Sequence, residues 1–278
     1  MKKGLLTLAV VLVLPAPAAA KVTQQTSESD GVKATLSFDC KQRNLIDCKD
    51  FKLSITRQGV ELVSNQVLVP TGEQGTAPGD PLPRKSVLVS DLDKKGEPEV
   101  VVDLFTGGAH CCTYSLIYGY SAATGGYVRL KHQWGNVGYL LEDLNRDGIF
   151  EFNSGDDRFA YAFTSYAESR FPPQIWHYRA GRLVDVTRRF PKLVRKDARR
   201  LIRALPGYRR QRLDVRGFLA AYQADNYLLG RRQAARGWKQ LRAMARKGQI
   251  RPVSGAGPSG KRYLKSLLRF LRRLGYTR

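Results

Sequence analysis

The chain has 278 residues and a formal net charge of +23, with 47 Lys and Arg against 24 Asp and Glu. After the first 20 residues, no segment approaches the roughly eighteen apolar residues that a membrane-spanning helix needs. The three histidines and the lack of a G-x-S-x-G or H-E-x-x-H motif argue against the common hydrolase classes, although an uncharacterised hydrolase stays an alternative. These features favour a soluble, non-catalytic protein.

Residues 1–20 have the pattern of a cleaved signal peptide. Lys2 and Lys3 precede an apolar run from Leu5 to Leu14, and small residues end at Ala20. We therefore expect a mature chain that starts at Lys21 and is secreted or held in the periplasm or cell envelope. In such compartments disulfides persist and calcium is abundant.

Four cysteines fall in two pairs, Cys40 with Cys48 and Cys111 with Cys112. Three pairings are possible. We favour Cys40 with Cys48, which leaves a vicinal bridge between Cys111 and Cys112, and cross-pairing of the two sets is the main rival. Because His110 precedes Cys111, a zinc or nucleophilic site is a further alternative, but no fourth ligand is evident.

Residues 21–187 are predicted to form a β domain. Alternating and β-branched runs predict strands, joined by tight turns at Gln58-Gly59, Ala123–Gly126 and Ala180-Gly181. The strand runs are VKATLSF, FKLSITRQGVELVSNQVLV, YSLIYGYS, YVRLKHQW, FAYAF and QIWHYRAGRLVDVT. Gly and Pro crowd residues 70–83, which predicts a loop or linker there.

The most specific motif is DLNRDGIFE, residues 143–151, between two apolar runs. Calcium takes six to eight oxygen ligands at about 2.3–2.6 Å, and a short loop supplies them from alternate residues around a sharp glycine turn, here at Gly148. The predicted ligands are Asp143, Asn145, Asp147, the carbonyl of Ile149, and Glu151. The alternative is a hairpin turn that binds no metal.

The same pattern occurs 52 residues upstream in DLDKKGEPE, residues 91–99, so that in chain order this is the first loop and residues 143–151 are the second. Its predicted ligands are Asp91, Asp93, Glu97 and Glu99, but Lys95 stands where a third carboxylate is needed. Because an ammonium group repels a cation, we expect weak calcium binding or none. Two strand–loop–strand units at a fixed spacing predict a repeat architecture.

With this loop between two strands, the chain resembles the FG-GAP and VCBS repeats that build β-propellers in integrin α chains and in many exported bacterial proteins. The resemblance covers roughly residues 85–180. It implies a propeller-like β domain of calcium-loop hairpins that binds a protein or a glycan at the cell surface.

Residues 188–278 change to a helical pattern, with apolar residues recurring at three and four positions. The last segment places five leucines on one stripe opposite Lys and Arg, which is typical of a docked amphipathic helix or of one that lies on a membrane. Those leucines are Leu264, Leu267, Leu268, Leu271 and Leu274.

All of the excess charge lies in this helical part, which carries 27 Lys and Arg against three Asp. Such a concentrated field draws polyanions to one end of a molecule. Export disfavours nucleic acid as the partner and favours an anionic envelope polymer or lipid headgroups. The predicted architecture is thus mainly β followed by an α-helical subdomain, in an exported protein with Ca²⁺ as a structural ion.

Overall fold

The computed structural model describes residues 22–40, 48–68, 77–78, 85–108, 111–253 and 257–277. The predicted signal peptide lies outside these residues, and so does most of the predicted loop at 70–83.

The first sheet is an antiparallel meander of β1 (Val22–Ser29), β2 (Val32–Cys40), β3 (Cys48–Arg57) and β4 (Val60–Val67). Alternate residues of β2 and β3 are buried, as expected for strands with one face in a core. The predicted turn at Gln58-Gly59 joins β3 to β4, with φ of 49° and 79°. Two successive positive φ values are what a tight hairpin turn of this kind requires.

Two further antiparallel sheets follow. The second contains β5 (Ala77–Pro78), β6 (Val87–Ser90), β7 (Glu99–Gly108), β8 (Cys111–Ser121) and β9 (Gly126–Gly135). The third contains β10 (Tyr139–Glu142), β11 (Glu151–Gly155), β12 (Pro173–Arg179) and β13 (Arg182–Asp185). The strands on either side of the two loops recur at the same spacing as the loops themselves.

The second sheet lies between the other two. Val100 and Val102 of β7 join the core shared with the first sheet, whereas Val101 joins the core shared with the third sheet. A strand that is buried on both faces has a nearly continuous apolar sequence, as VVVDLF does. The mainly β prediction is confirmed, but the described part shows three stacked sheets and no closed propeller or barrel.

The predicted strand FAYAF, residues 159–163, is wrong. Its first residue, Phe159, ends a short 3-10 helix, Asp157–Phe159, and the rest lies in turns and bends. Since β12 pairs directly with β11, no strand fits between them. Phe159 and Phe163 instead pack into the helical core, where their apolar area is buried.

Four helices make up the C-terminal part: α1 (Pro191–Arg210), α2 (Arg216–Leu228), α3 (Arg231–Arg246) and α4 (Gly260–Arg273). Most of α2 is buried, and it contacts α1 and α3, while α3 also contacts α4. Gly230 and Gly248 adopt φ of 106° and 65° at the two ends of α3. Among the described helices, none is both long and apolar enough to cross a bilayer.

The cysteines lie at strand ends. Cys40 and Cys48 are opposite each other in the register of β2 and β3, while Cys111 and Cys112 begin β8. No cysteine in the described part of the chain is free. The pairing stays a prediction.

Candidate metal centre

The two predicted calcium loops share one hydrogen-bonding scheme. In the loop at 143–151, the backbone N–H groups of Asp147 and Gly148 donate to the Asp143 carboxylate at 3.1 and 2.9 Å. In the loop at 91–99, the N–H groups of Lys95 and Gly96 donate to Asp91 at 3.0 and 2.7 Å. The first aspartate therefore folds each loop by accepting N–H groups that the turn leaves without strand partners.

The ninth residue of each loop ties it to the sheet below. Glu151 is fully buried; its Oε2 accepts from Leu144 N at 2.7 Å, and its Oε1 lies 2.6 Å from His177 Nε2 on β12. Both oxygens of Glu151 thus have protein partners. In the first loop, Glu99 Oε2 likewise accepts from Leu92 N at 3.0 Å. Burial raises the pKa of Glu99 to about 8.

The exposed side of the second loop presents Asn145 and Asp147. Asp147 accepts from Ile149 N at 2.9 Å and from Asn145 Nδ2 at 2.8 Å. The hydrogen bond from Ile149 N, and to a smaller extent that from Asn145, lowers the pKa of Asp147, so its carboxylate is ionised at neutral pH. Together with Asp143, these two residues lie at the tip of one turn.

The first loop gathers Asp91, Asp93 and Glu99, whose carboxylate oxygens lie within 4.8 Å of one another. Lys95 Nζ lies 2.9 Å from Asp93 Oδ2 and partly neutralises this cluster. Glu97, predicted as a ligand, instead makes a bidentate ion pair with Arg57 at 2.8 and 2.7 Å. Sequence reasoning missed that pair because Arg57 belongs to the first sheet, 40 residues away.

The two loops also touch each other. Lys94 Nζ donates to the carbonyl oxygen of Asp147 at 2.8 Å and lies over Gly148. The apolar pattern predicts that sheets pack on one another, but it carries no information on which loop tips meet.

The acidic residues between β11 and β12 have structural partners. Asp156 forms a bidentate ion pair with Arg158 at 2.7 and 2.6 Å, and Glu168 Oε1 accepts from Asp214 N at 2.9 Å. Asp157 accepts from Asn136 N at 3.2 Å.

Sequence reasoning did not predict a cavity of about 570 Å³ between the second and third sheets, which Trp134 and Trp176 help to line. His132 lies against both tryptophan rings, with ring centroids at 4.2 and 4.9 Å. Burial lowers the pKa of His132 to about 4. The imidazole is therefore neutral at pH 7.

Comparison with known proteins gives a family match in the helical part. Residues 194–275 match the family described as the sll0997 C-terminal domain. The chain is 34% identical over 165 residues to "Probable thylakoid lumen protein sll0997" of Synechocystis sp., which covers 58% of this chain and 48% of that protein. It is 31% identical over 98 residues to "Uncharacterized protein y4bJ" of Sinorhizobium fredii, which covers 32% of this chain and 14% of that protein. No solved structure matches.

The chain therefore spans about half the length of the first relative and a smaller part of the second. The matches also correct the assignment to FG-GAP and VCBS repeats, which is wrong. The physical reason lies in the loop itself. The aspartate at its first position accepts the turn's own N–H groups, including that of the glycine at its sixth, even in the copy that carries Lys95. Such a motif can recur in unrelated hairpins.

Proposed function

We propose that this chain is a non-catalytic binding protein of an exported compartment, in which the loop at 143–151 takes calcium as a structural ion. The sll0997 relative, named as a thylakoid lumen protein, supports a location across a membrane from the site of synthesis. The proposed partner of the β part is a protein or a glycan, and its binding is proposed independently of the calcium ion.

One difference between the two loops carries the calcium proposal. At the fifth position, Lys95 brings an ammonium group to 2.9 Å from a carboxylate of its own loop. At the same position the second loop has Asp147, which adds a carboxylate instead. The first loop thus supplies an ammonium group at this position, whereas the second adds a carboxylate there. The ammonium group that does reach the second loop, that of Lys94, bonds to the Asp147 backbone carbonyl.

The residues of the second loop fit a hard cation. Asp143, Asn145, Asp147 and the Ile149 carbonyl would each bind through an oxygen atom, the ligand type that calcium prefers. Glu151 would contribute little to the shell, because its side chain is fully buried against Leu144 N and His177. Water would complete the coordination, which favours the modest affinity of extracellular calcium modules. The ion would supply charge neutralisation and stiffen the turn.

Exchanging the fifth residue between the loops tests this proposal. We expect one calcium ion per wild-type chain by titration calorimetry, none for Asp147→Lys, and two for Lys95→Asp. Calcium at about a hundredfold excess over its Kd should raise the free energy of unfolding by roughly 2.7 kcal/mol in the wild type.

Two controls make the result specific. Asp147→Asn keeps an oxygen ligand and should weaken calcium binding without abolishing it, while Asp50→Lys makes the same charge change at an exposed position of β3 and should leave it unaltered. If calcium and a chelator give the wild type the same melting temperature and no heat of binding, the loop is a turn only.

A further inference from the structure

The fold removes acidic groups from the surface of the helical part. Asp225 is fully buried, and Asp214 is 3% exposed and paired with Arg216 at 2.7 Å. Asp197 is bonded to Arg200 and its side chain is 14% exposed. These are the three acids of residues 188–278. The charge that the described helical residues present to solvent is therefore almost entirely positive.

The exposed cations form rows. Arg232, Arg236 and Lys239 follow one face of α3, and Lys265, Arg269 and Arg272 follow one face of α4; all six are exposed. Like charges three or four residues apart on a helix destabilise it by about 0.2–0.5 kcal/mol a pair. Bound anions would remove this repulsion, so a polyanion would stabilise the helices that carry the rows.

The structure favours a polymer over a lipid bilayer as the source of those anions. Leu267 and Leu271 of the α4 stripe are fully buried against the other helices, together with Tyr263. Among the described residues of the helical part, the one large hydrophobic side chain that is exposed is Val253. An interfacial helix needs an apolar face to insert, and α4 has already used its own in the core.

The helical part also has no stacking platform for nucleic-acid bases. Non-specific binding of single strands relies on exposed aromatic rings. Here Trp238 is half-buried and its Nε1 donates to Tyr227 Oη at 2.9 Å, and no described aromatic residue of the helical part is exposed. The surface thus offers charge without base recognition.

We propose that the exposed faces of α3 and α4 bind an anionic polysaccharide. The two helices carry nine arginines and three lysines, and the planar guanidinium group pairs with a carboxylate or sulfate through two parallel hydrogen bonds. The rows repeat along each helix about every 5–6 Å, one charge per turn. A linear chain with acidic sugars can therefore meet several cations at once. This inference uses residues remote from the loop at 143–151 and does not depend on calcium.

The test uses the full chain and fluorescence anisotropy with labelled heparin and alginate oligosaccharides. Replacing Lys265, Arg269 and Arg272 with Gln should weaken binding of both probes by about tenfold or more and flatten its dependence on salt between 50 and 200 mM. The matched control replaces three exposed cations of the β part with Gln: Lys33, Lys52 and Arg182. It should change affinity less than about twofold.

A structural readout accompanies the binding assay. Because glutamine relieves like-charge repulsion on α4 and keeps its helix propensity, the α4 variant should melt at the same temperature as the wild type or higher. The proposal is overturned if the wild type binds neither oligosaccharide or if both triple variants lose affinity equally. Tighter binding to anionic phospholipid vesicles or to single-stranded DNA than to the oligosaccharides also overturns it.

Discussion

Ionisable side chains inside the helical core have pKa values that their sequence positions do not predict. Asp225 lies on the buried helix α2, and no N–H or O–H donor of the described residues reaches either of its oxygens. Burial raises the pKa of Asp225 well above its ordinary value, and the neighbouring Asp197 carboxylate adds to the effect. A proton shared between the two carboxyl groups would satisfy both.

This pair predicts a stability that falls as pH rises. An acid whose pKa is raised in the folded state holds its proton more tightly there, so its unfavourable contribution begins above the unfolded value, near 4, and grows with pH. Asp225→Asn should therefore raise the free energy of unfolding more at pH 8 than at pH 5, measured by urea denaturation. The exposed Asp50→Asn is the control. A loss of stability at both pH values in Asp225→Asn would contradict the prediction.

His132 predicts the opposite slope. Its pKa is lowered to about 4 in the folded protein, so the unfolded chain takes up a proton first as pH falls from about 6.5. Stability should be lost through that window, by about 1–2 kcal/mol once solvent screening of the ring is allowed for. His132→Gln should shrink the difference between the melting temperatures at pH 7 and pH 4.5. An unchanged difference would show that the imidazole is protonated in the folded state.

At the scale of elements, each hairpin loop is held by its own backbone N–H groups and by one contact between the loops. Gly96 and Gly148 occupy the same position of the two loops, with φ of 81° and 84°. A Cβ on Gly96 would meet no other atom within 4 Å, whereas a Cβ on Gly148 would meet Lys94 Nζ at 2.4 Å. Comparing alanine substitutions at Gly96 and Gly148 therefore distinguishes the effect of backbone strain from that of the Lys94 contact.

Both Gly96→Ala and Gly148→Ala should lose about 1–2 kcal/mol from the left-handed backbone alone. Gly148→Ala should lose a further few tenths of a kcal/mol, because Lys94 must move away from the Asp147 carbonyl, an exposed hydrogen bond. Chemical denaturation of the two variants measures the difference. Equal losses would show that the contact between the loops contributes nothing to stability.

At the scale of the whole molecule, the β part and the helical part share a core. The segment that joins β11 to β12 supplies Phe159 and Phe163 to the helical core, and Asp156 at its start is 1% exposed. Tyr276, near the C-terminus, donates from Oη to Asp156 Oδ2 at 2.9 Å across 120 residues. The buried Asp156 carboxylate thus links the segment that follows β11 to the C-terminal end of the helical part.

Removing that hydroxyl should weaken the interface. Tyr276→Phe leaves Asp156 with Arg158 alone and should lower the free energy of unfolding by about 1–3 kcal/mol, since a buried oxygen loses a partner. Tyr222→Phe, which removes an exposed hydrogen bond to Gln240, is the matched control and should cost less than about 0.5 kcal/mol. Equal melting temperatures for the two variants would mean that the Asp156 contact is not important for stability.

The sequence by itself determined the local elements. Alternation in VKATLSF, the turn at Gln58-Gly59, the spacing of the two loops and the apolar stripes of α1 to α4 all follow from periods of two or 3.6 residues and from glycine's tolerance of positive φ. Tertiary structure decided the fate of each polar side chain, because contacts between distant residues leave no local pattern. It placed Glu97 against Arg57, buried Glu151 against His177, and took the two phenylalanines of FAYAF into the helical core. It also decided that the leucines of α4 face inward while its arginines remain in water.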